Sequence, residues 1–172
     1  MNSPDSTRRK GPTPRAFDTI VWGGLLAGTL DAIDGVIALG FKGMSPVQVL
    51  QYIASGLLGT ASFQGGLKTA GLGAVLHYLI AFAVAVVYYV ASRKLPALHR
   101  HPLPWGLAFG VAVYFFMNYL VLPFSAVPKS PFSLPLLVNG VVGHAIFVGF
   151  AIAWFAHRSA TVKQTTGVTS GR

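Results

Sequence analysis

The chain has 172 residues, of which 53% are hydrophobic and only 10% are charged, whereas an average soluble domain carries about 25% charged residues. This composition excludes an ordinary soluble domain and indicates a single integral membrane domain. The formal net charge of +9 does not indicate a nucleic-acid partner, because the basic residues lie in short tails and loops beside apolar segments.

In chain order, residues 1–16 are polar and rich in proline, serine and threonine, which predicts a disordered tail. Four later segments have the roughly 20 mostly apolar residues that a membrane-spanning helix needs. They run from about Phe17 to Phe41, Leu67 to Ala91, Pro104 to Pro123 and Phe132 to Ala156. Residues 157–172 are polar again and predict a second disordered tail. The transmembrane domain therefore covers residues 17–156.

The segment between the first two spans is SPVQVLQYIASGLLG, from Ser45 to Gly59. A serine followed by proline is typical of a helix start, and Gln48, Gln51 and Ser55 fall on one face, opposite an apolar face. Its length as a helix would be about 22 Å, too short for the roughly 30 Å hydrocarbon core. We predict a short amphipathic helix that lies along the membrane interface or forms a re-entrant hairpin. The predicted fold class is thus an all-α four-helix membrane bundle with one short helix between spans 1 and 2.

The distribution of basic residues predicts the orientation. With four spans, all of the 13 lysines and arginines except Lys42, Lys68 and Lys129 fall on the side of the two termini. The positive-inside rule then predicts that both termini are cytoplasmic. A fifth span at residues 45–62 would move the basic loop after the second span to the other side and weaken this bias.

The first span contains two acidic residues, Asp31 and Asp34, in an otherwise uncharged run from Ile20 to Phe41. A carboxylate at membrane depth is costly by roughly 2.5–3.5 kcal/mol on insertion scales, so such residues usually face a bundle interior or water. Being three residues apart, the two share one helix face. We expect that two carboxylates this close in a low dielectric are not both ionised unless a cation or a histidine lies between them.

Four further polar residues lie in the other spans at similar depth: His77, Asn118, Asn139 and His144. At 1.5 Å per residue, all six lie about 8–18 Å from the outer end of their span. We therefore predict that they meet, with Asp31, Asp34, His77 and His144 as cation- or proton-binding candidates and Asn118 and Asn139 as supporting hydrogen-bond partners.

Several interpretations remain open. The six residues could act as hydrogen-bonding contacts between helices, or as a site that translocates a small solute, a cation or a proton. Two carboxylates and two imidazoles would also suit Zn, Mn or Fe, and His77 with His144 would suit a haem. We favour a protein that is not an enzyme and predict no specific cofactor. The expected partners are the lipid bilayer and, through small-residue helix faces, a second copy or another membrane protein, but no nucleic acid.

The motifs AGTLDAIDG, MSPVQVLQYIASGLLG, SFQGG, LHYLIAFAVAVVYY, VYFFMNYLVLP and LVNGVVGH occur in this order along the chain. In this combination the sequence resembles a group of small uncharacterised four-span bacterial inner-membrane proteins. The resemblance covers roughly Val21 to Ala156. It implies a multi-pass protein of the bacterial inner membrane and brings no activity, substrate or catalytic residue with it.

Overall fold

The computed structural model describes residues 13–129 and 131–168, with side chains up to Thr161. The predicted tails fall partly outside these residues, at 1–12 and 169–172. The described chain is all-α and contains no strand. We number its helices α1 Asp18–Gly40, α2 Pro46–Leu58, α3 Gly66–Lys94, α4 Ala97–Arg100, α5 Pro102–Phe124 and α6 Leu134–Thr161.

Four of these helices, α1, α3, α5 and α6, are long and apolar enough to cross a membrane. This confirms the predicted all-α four-helix fold and indicates a multi-pass membrane protein. Because successive spans alternate in direction, residues 41–65, 125–129 and 131–133 lie at one end of the bundle, which we call the loop end. The opposite end carries the start of α1, the end of α6 and the α3–α5 connection, and we call it the basic end.

Helix α6 differs from the prediction that a disordered tail begins at residue 157. The helical path continues to Val168, and residues 157–160 still pack on the bundle. Ser159 is buried, and its hydroxyl accepts a hydrogen bond from the backbone N–H of Arg15 at 3.0 Å. His157 Nδ1 donates to the carbonyl of His99 at 2.8 Å. These contacts extend the ordered bundle beyond the apolar residues from which the span was predicted.

The buried core lies toward the basic end and consists mainly of small side chains. Ala27, Ala85, Ile152 and Ala156 are fully buried together with Tyr88. The tyrosine hydroxyl donates to the carbonyl of Leu98 at 2.8 Å, which ties the short helix α4 to the core. Alanines in facing positions allow the helix backbones to approach closely, as is typical of membrane bundles.

Glycines allow the closest contact between α5 and α6. A Cβ atom on Gly110 would overlap the carbonyl of His144, and one on Gly149 would overlap the carbonyl of Gly106. The Gly106–Gly110 spacing is therefore used for packing within the chain. Gly28 of α1 is also used for packing within the chain, because an added Cβ would lie 3.1 Å from the side chain of Ala81.

Helix α2 begins as predicted, with Ser45 as the N-cap and Pro46 in the first turn. Ser45 and Gln48 form a reciprocal capping box, with hydrogen bonds of 2.8 and 3.3 Å. The helix ends at Gly59, whose φ of +60° is strained for other residues. A 3₁₀ turn from Gly59 to Gln64 then leads into α3.

The buried face of α2 carries two polar residues beside Val49 and Ala54. Gln51 and Ser55 are buried, whereas Leu57 is 66% exposed. Gln51 Nε2 donates to the carbonyl of Gly66 at 3.0 Å and so ties α2 to the start of α3.

Gly73 determines how closely α2 can pack on α3, because an added Cβ would overlap the carbonyl of Leu50. We expect Gly73→Ala to lower the free energy of unfolding by about 1–3 kcal/mol through overpacking. Gly71→Ala is the matched control, since a Cβ there meets nothing within 4 Å, and it should be neutral or slightly stabilising. Reversible unfolding of the purified protein in mixed micelles measures both. Equal effects of the two substitutions would contradict the close contact between α2 and α3.

Candidate functional site

Asp34 lies against α6, where an amide and a glycine accommodate it. Its Oδ2 accepts a hydrogen bond from Asn139 Nδ2 at 2.9 Å. A Cβ atom on Gly143 would come within 2.5 Å of the same oxygen. Asn139 and Gly143 are four residues apart and share one face of α6. One residue therefore supplies the hydrogen-bond donor, and the other supplies the space for the carboxylate.

Asp31 faces the same helix one turn away and contacts His144. Asp31 Oδ1 lies 3.4 Å from His144 Nδ1, and both side chains are 21% exposed. His144 Nδ1 is buried and makes no hydrogen bond. Because Asp31 is a carboxylate, its contact with His144 is an ion pair whenever the imidazole is protonated. The ring of Tyr114 packs edge-on against the imidazole with the ring centroids 5.4 Å apart. The tyrosine limits the positions that the imidazole can take.

The backbone of α6 changes its winding at His144. Residues His144–Phe150 form a π-helical segment, which is wider than an α-helix and is often found at functional sites. The segment begins at the histidine and includes Gly149, which contacts α5. The local widening thus coincides with the contact to Asp31 and with the tight packing of α5 on α6.

His77 bonds to the backbone of α1 rather than to a carboxylate. Its Nε2 donates to the carbonyl of Gly28 at 2.8 Å, which assigns the proton of the neutral ring to Nε2. The neighbouring Tyr78 hydroxyl lies 2.9 Å from Thr29 Oγ1. Together these contacts join α3 to α1 one turn away from Asp31.

Asn118 lies apart from the carboxylates. Its Nδ2 donates to the carbonyl of Tyr114 in its own helix at 2.9 Å. It belongs to a second π-helical segment, Met117–Val121. The expected supporting role of Asn118 toward Asp31 or Asp34 is therefore not seen in the hydrogen bonds, whereas Asn139 contacts Asp34 directly.

Asp31, His77 and His144 line one cavity of about 190 Å³, which we call the polar cavity. Most of its remaining wall is apolar and comes from α2, α3, α5 and α6. This volume has room for several water molecules but lies below the roughly 300–1,000 Å³ of typical ligand pockets. The cavity therefore suits protons, water and a small charged group.

A second cavity of about 500 Å³ lies at the loop end, and we call it the vestibule. Asn118, Tyr114 and Lys129 contribute to its wall. Tyr52, Leu122 and Val127 line both this space and the polar cavity. The polar cavity thus adjoins open space toward the loop end, whereas the core of small residues closes it toward the basic end.

Four of the six predicted residues form two contacting pairs, and Asn118 belongs to neither. The pairs are Asp31 with His144 and Asp34 with Asn139, and the polar cavity adds His77 to the first pair. Among the described residues, no three His, Asp, Glu or Cys side chains converge as metal ligands. The four candidates are therefore not arranged as a four-ligand metal site.

Comparisons with known proteins do not extend this description. No protein-family model, curated protein or solved structure matches the chain.

The Asp34–Asn139 hydrogen bond predicts an energetic coupling between α1 and α6. In a double-mutant cycle of Asp34→Ala and Asn139→Ala, we expect a coupling of about 1 kcal/mol, because the acceptor is a carboxylate in a bundle interior. Unfolding in mixed micelles provides the free energies. The control cycle pairs Asp34→Ala with Asn118→Ala, which should be additive, since Asn118 bonds within its own helix. Additivity in both cycles would refute the contact.

Proposed function

We propose that this protein translocates protons or a small cation across the membrane through the site formed by Asp31 and His144. One contact supports this most directly: the 3.4 Å approach of Asp31 Oδ1 to His144 Nδ1 at the wall of the polar cavity. Histidine changes its charge near physiological pH. Protonation of the ring creates an ion pair with Asp31, and loss of that proton leaves a carboxylate that can accept a cation from the cavity.

The charges around the two carboxylates support the same proposal. Between Ile20 and Phe41 the only charged residues are Asp31 and Asp34. Asn139 gives Asp34 a hydrogen bond but no positive charge. Within the described residues, the ion pairs are Arg15 with Asp18 and His144 with Asp31. Two carboxylates so close together in a low dielectric need protons or a cation as compensation.

The arrangement of the cavities favours access to the site from one end. The vestibule adjoins the polar cavity through Tyr52, Leu122 and Val127. Toward the basic end, Ala27, Tyr88 and Ile152 are fully buried and close the bundle. Movement of Tyr52, Leu122 and Val127 would open the site toward the loop end while the packed core keeps it closed toward the basic end, as one state of an alternating-access cycle requires.

We further propose a location in a bacterial inner membrane, with both termini in the cytoplasm. Arg15, Arg93, Lys94, Arg100 and Arg158 are exposed at the basic end. The loop end holds Lys42, Lys68 and Lys129. The excess of basic residues at the basic end favours the cytoplasmic side, so the vestibule would open to the outside.

Proton flux into liposomes that enclose a pH-sensitive dye tests the translocation. We expect Asp31→Asn to lower the flux at least about tenfold, because a neutral amide can neither take up a proton nor balance a cation. Asp18→Asn is the matched control, since Asp18 is also in α1 but pairs with Arg15 at the basic end. It should keep the flux of the unaltered protein. Equal flux from all three proteins, or none above empty liposomes, would contradict the proposal.

Single introduced cysteines test the orientation, and the chain has no cysteine of its own to interfere. We expect Lys129→Cys at the loop end to react with a membrane-impermeant maleimide added to intact bacterial cells whose outer membrane has been permeabilised. Arg100→Cys at the basic end should react only after the inner membrane is opened. The reverse pattern would show that the termini face outward.

A further inference from the structure

An apolar groove of about 530 Å³ runs along the outer surface between α3 and α5. Its wall includes Ala83, Val87, Ala112 and Phe116, all of them exposed. The lining contains no charged residue and extends over about 10 Å of helix, counted from Ile80 to Val87. Its volume lies within the range of small-molecule sites.

The groove adjoins the polar cavity along a shared wall. The same five side chains line both spaces: Ile80, Val84, Val113, Met117 and Val121. One layer of side chains therefore separates the apolar groove from the space that Asp31 and His144 line. Met117 is flexible and unbranched, so it can change its rotamer with little strain. A molecule in the groove thus has its shortest path to a carboxylate through this layer.

We propose that the cation bound at Asp31 is an organic ammonium ion with an apolar body, which enters from the bilayer through the groove. This inference rests on the proposed cation-binding function and specifies the class of cation. The apolar body would lie in the groove, and the ammonium group would pass the Met117 layer to reach Asp31. The groove supplies contact for the body, and the carboxylate supplies the opposite charge.

The wall of the polar cavity favours such a cation over a metal ion. A hard metal cation needs several oxygen ligands, and among the described residues no such cluster of acidic or histidine ligands converges. An alkylammonium head needs one carboxylate and tolerates apolar walls. Ile80, Val84 and Val148 supply such walls beside Asp31.

The charge at Asp31 also distinguishes this occupant from an ordinary lipid chain. A lipid acyl chain could fill the groove for its apolar surface alone, but it would have no preference that depends on Asp31. An ammonium ion would lose its counter-ion when Asp31 becomes neutral. Binding of the cationic probe should therefore depend on both the groove and the carboxylate.

Photolabelling of the full chain in nanodiscs tests this inference. The probes are a dodecylammonium ion with a diazirine near the end of its chain and the uncharged alcohol of the same length. We expect the amine to label the α5 peptide around Ala112 and Phe116 in a saturable manner. Asp31→Asn should reduce this labelling at least about tenfold, the effect of losing a paired charge in a partly buried site. The alcohol should be unaffected by the substitution.

Two further variants locate the site. Ala112→Phe fills the groove and should reduce labelling by the amine, whereas Ala108→Phe, an exposed position of α5 outside the groove, should not. Equal labelling by both probes, independent of Asp31, would show that the groove holds lipid chains only and would overturn the inference. Failure of the amine to label, together with a proton flux that still requires Asp31, would refute the ammonium substrate and leave the proposed function intact.

Discussion

The bundle depends on how α1 accommodates two carboxylates at membrane depth. Each would cost roughly 2.5–3.5 kcal/mol if it faced the hydrocarbon core of the bilayer, so α1 must turn this face toward polar partners. Helix α6 provides them, with Asn139 at 2.9 Å from Asp34 and His144 at 3.4 Å from Asp31. This constraint sets the rotation of α1 and places α6 as its neighbour on that side.

Close packing elsewhere follows from small residues. Gly106, Gly110 and Gly149 bring α5 and α6 together, while alanines and Tyr88 fill the basic end. The polar cavity and the vestibule lie toward the loop end, and the groove lies beside the polar cavity along the middle of α3 and α5. The tightly packed half thus holds the helices in position, and the looser half leaves space around Asp31.

Much of the fold could be predicted from the sequence, because membrane spans depend on length and hydropathy, which are local properties. The start of α2 is also predictable, because Ser45, Pro46 and Gln48 form a local capping motif.

The site could be predicted only as a set of polar residues at one depth. Depth along a helix says nothing about rotation, so it could not show that His77 turns to Gly28 or that Asn118 bonds to Tyr114. The role of Gly143 is not predicted, although its spacing from Asn139 places both on one face. The π-helical segment at His144 has no sequence signal that we can identify.

The central claim is that Asp31 and His144 are in contact inside the bundle. Solid-state NMR on the protein in lipid bilayers tests it through the dipolar coupling between ¹³Cγ of aspartate and ¹⁵Nδ1 of histidine. The 3.4 Å contact joins Oδ1 of Asp31 to Nδ1 of His144, and Cγ is bonded directly to Oδ1. We therefore predict a measurable coupling between Cγ and Nδ1, which disappears in Asp31→Asn and persists in Asp34→Asn. Absence of the coupling, or its persistence in Asp31→Asn, would contradict the contact and the function proposed from it.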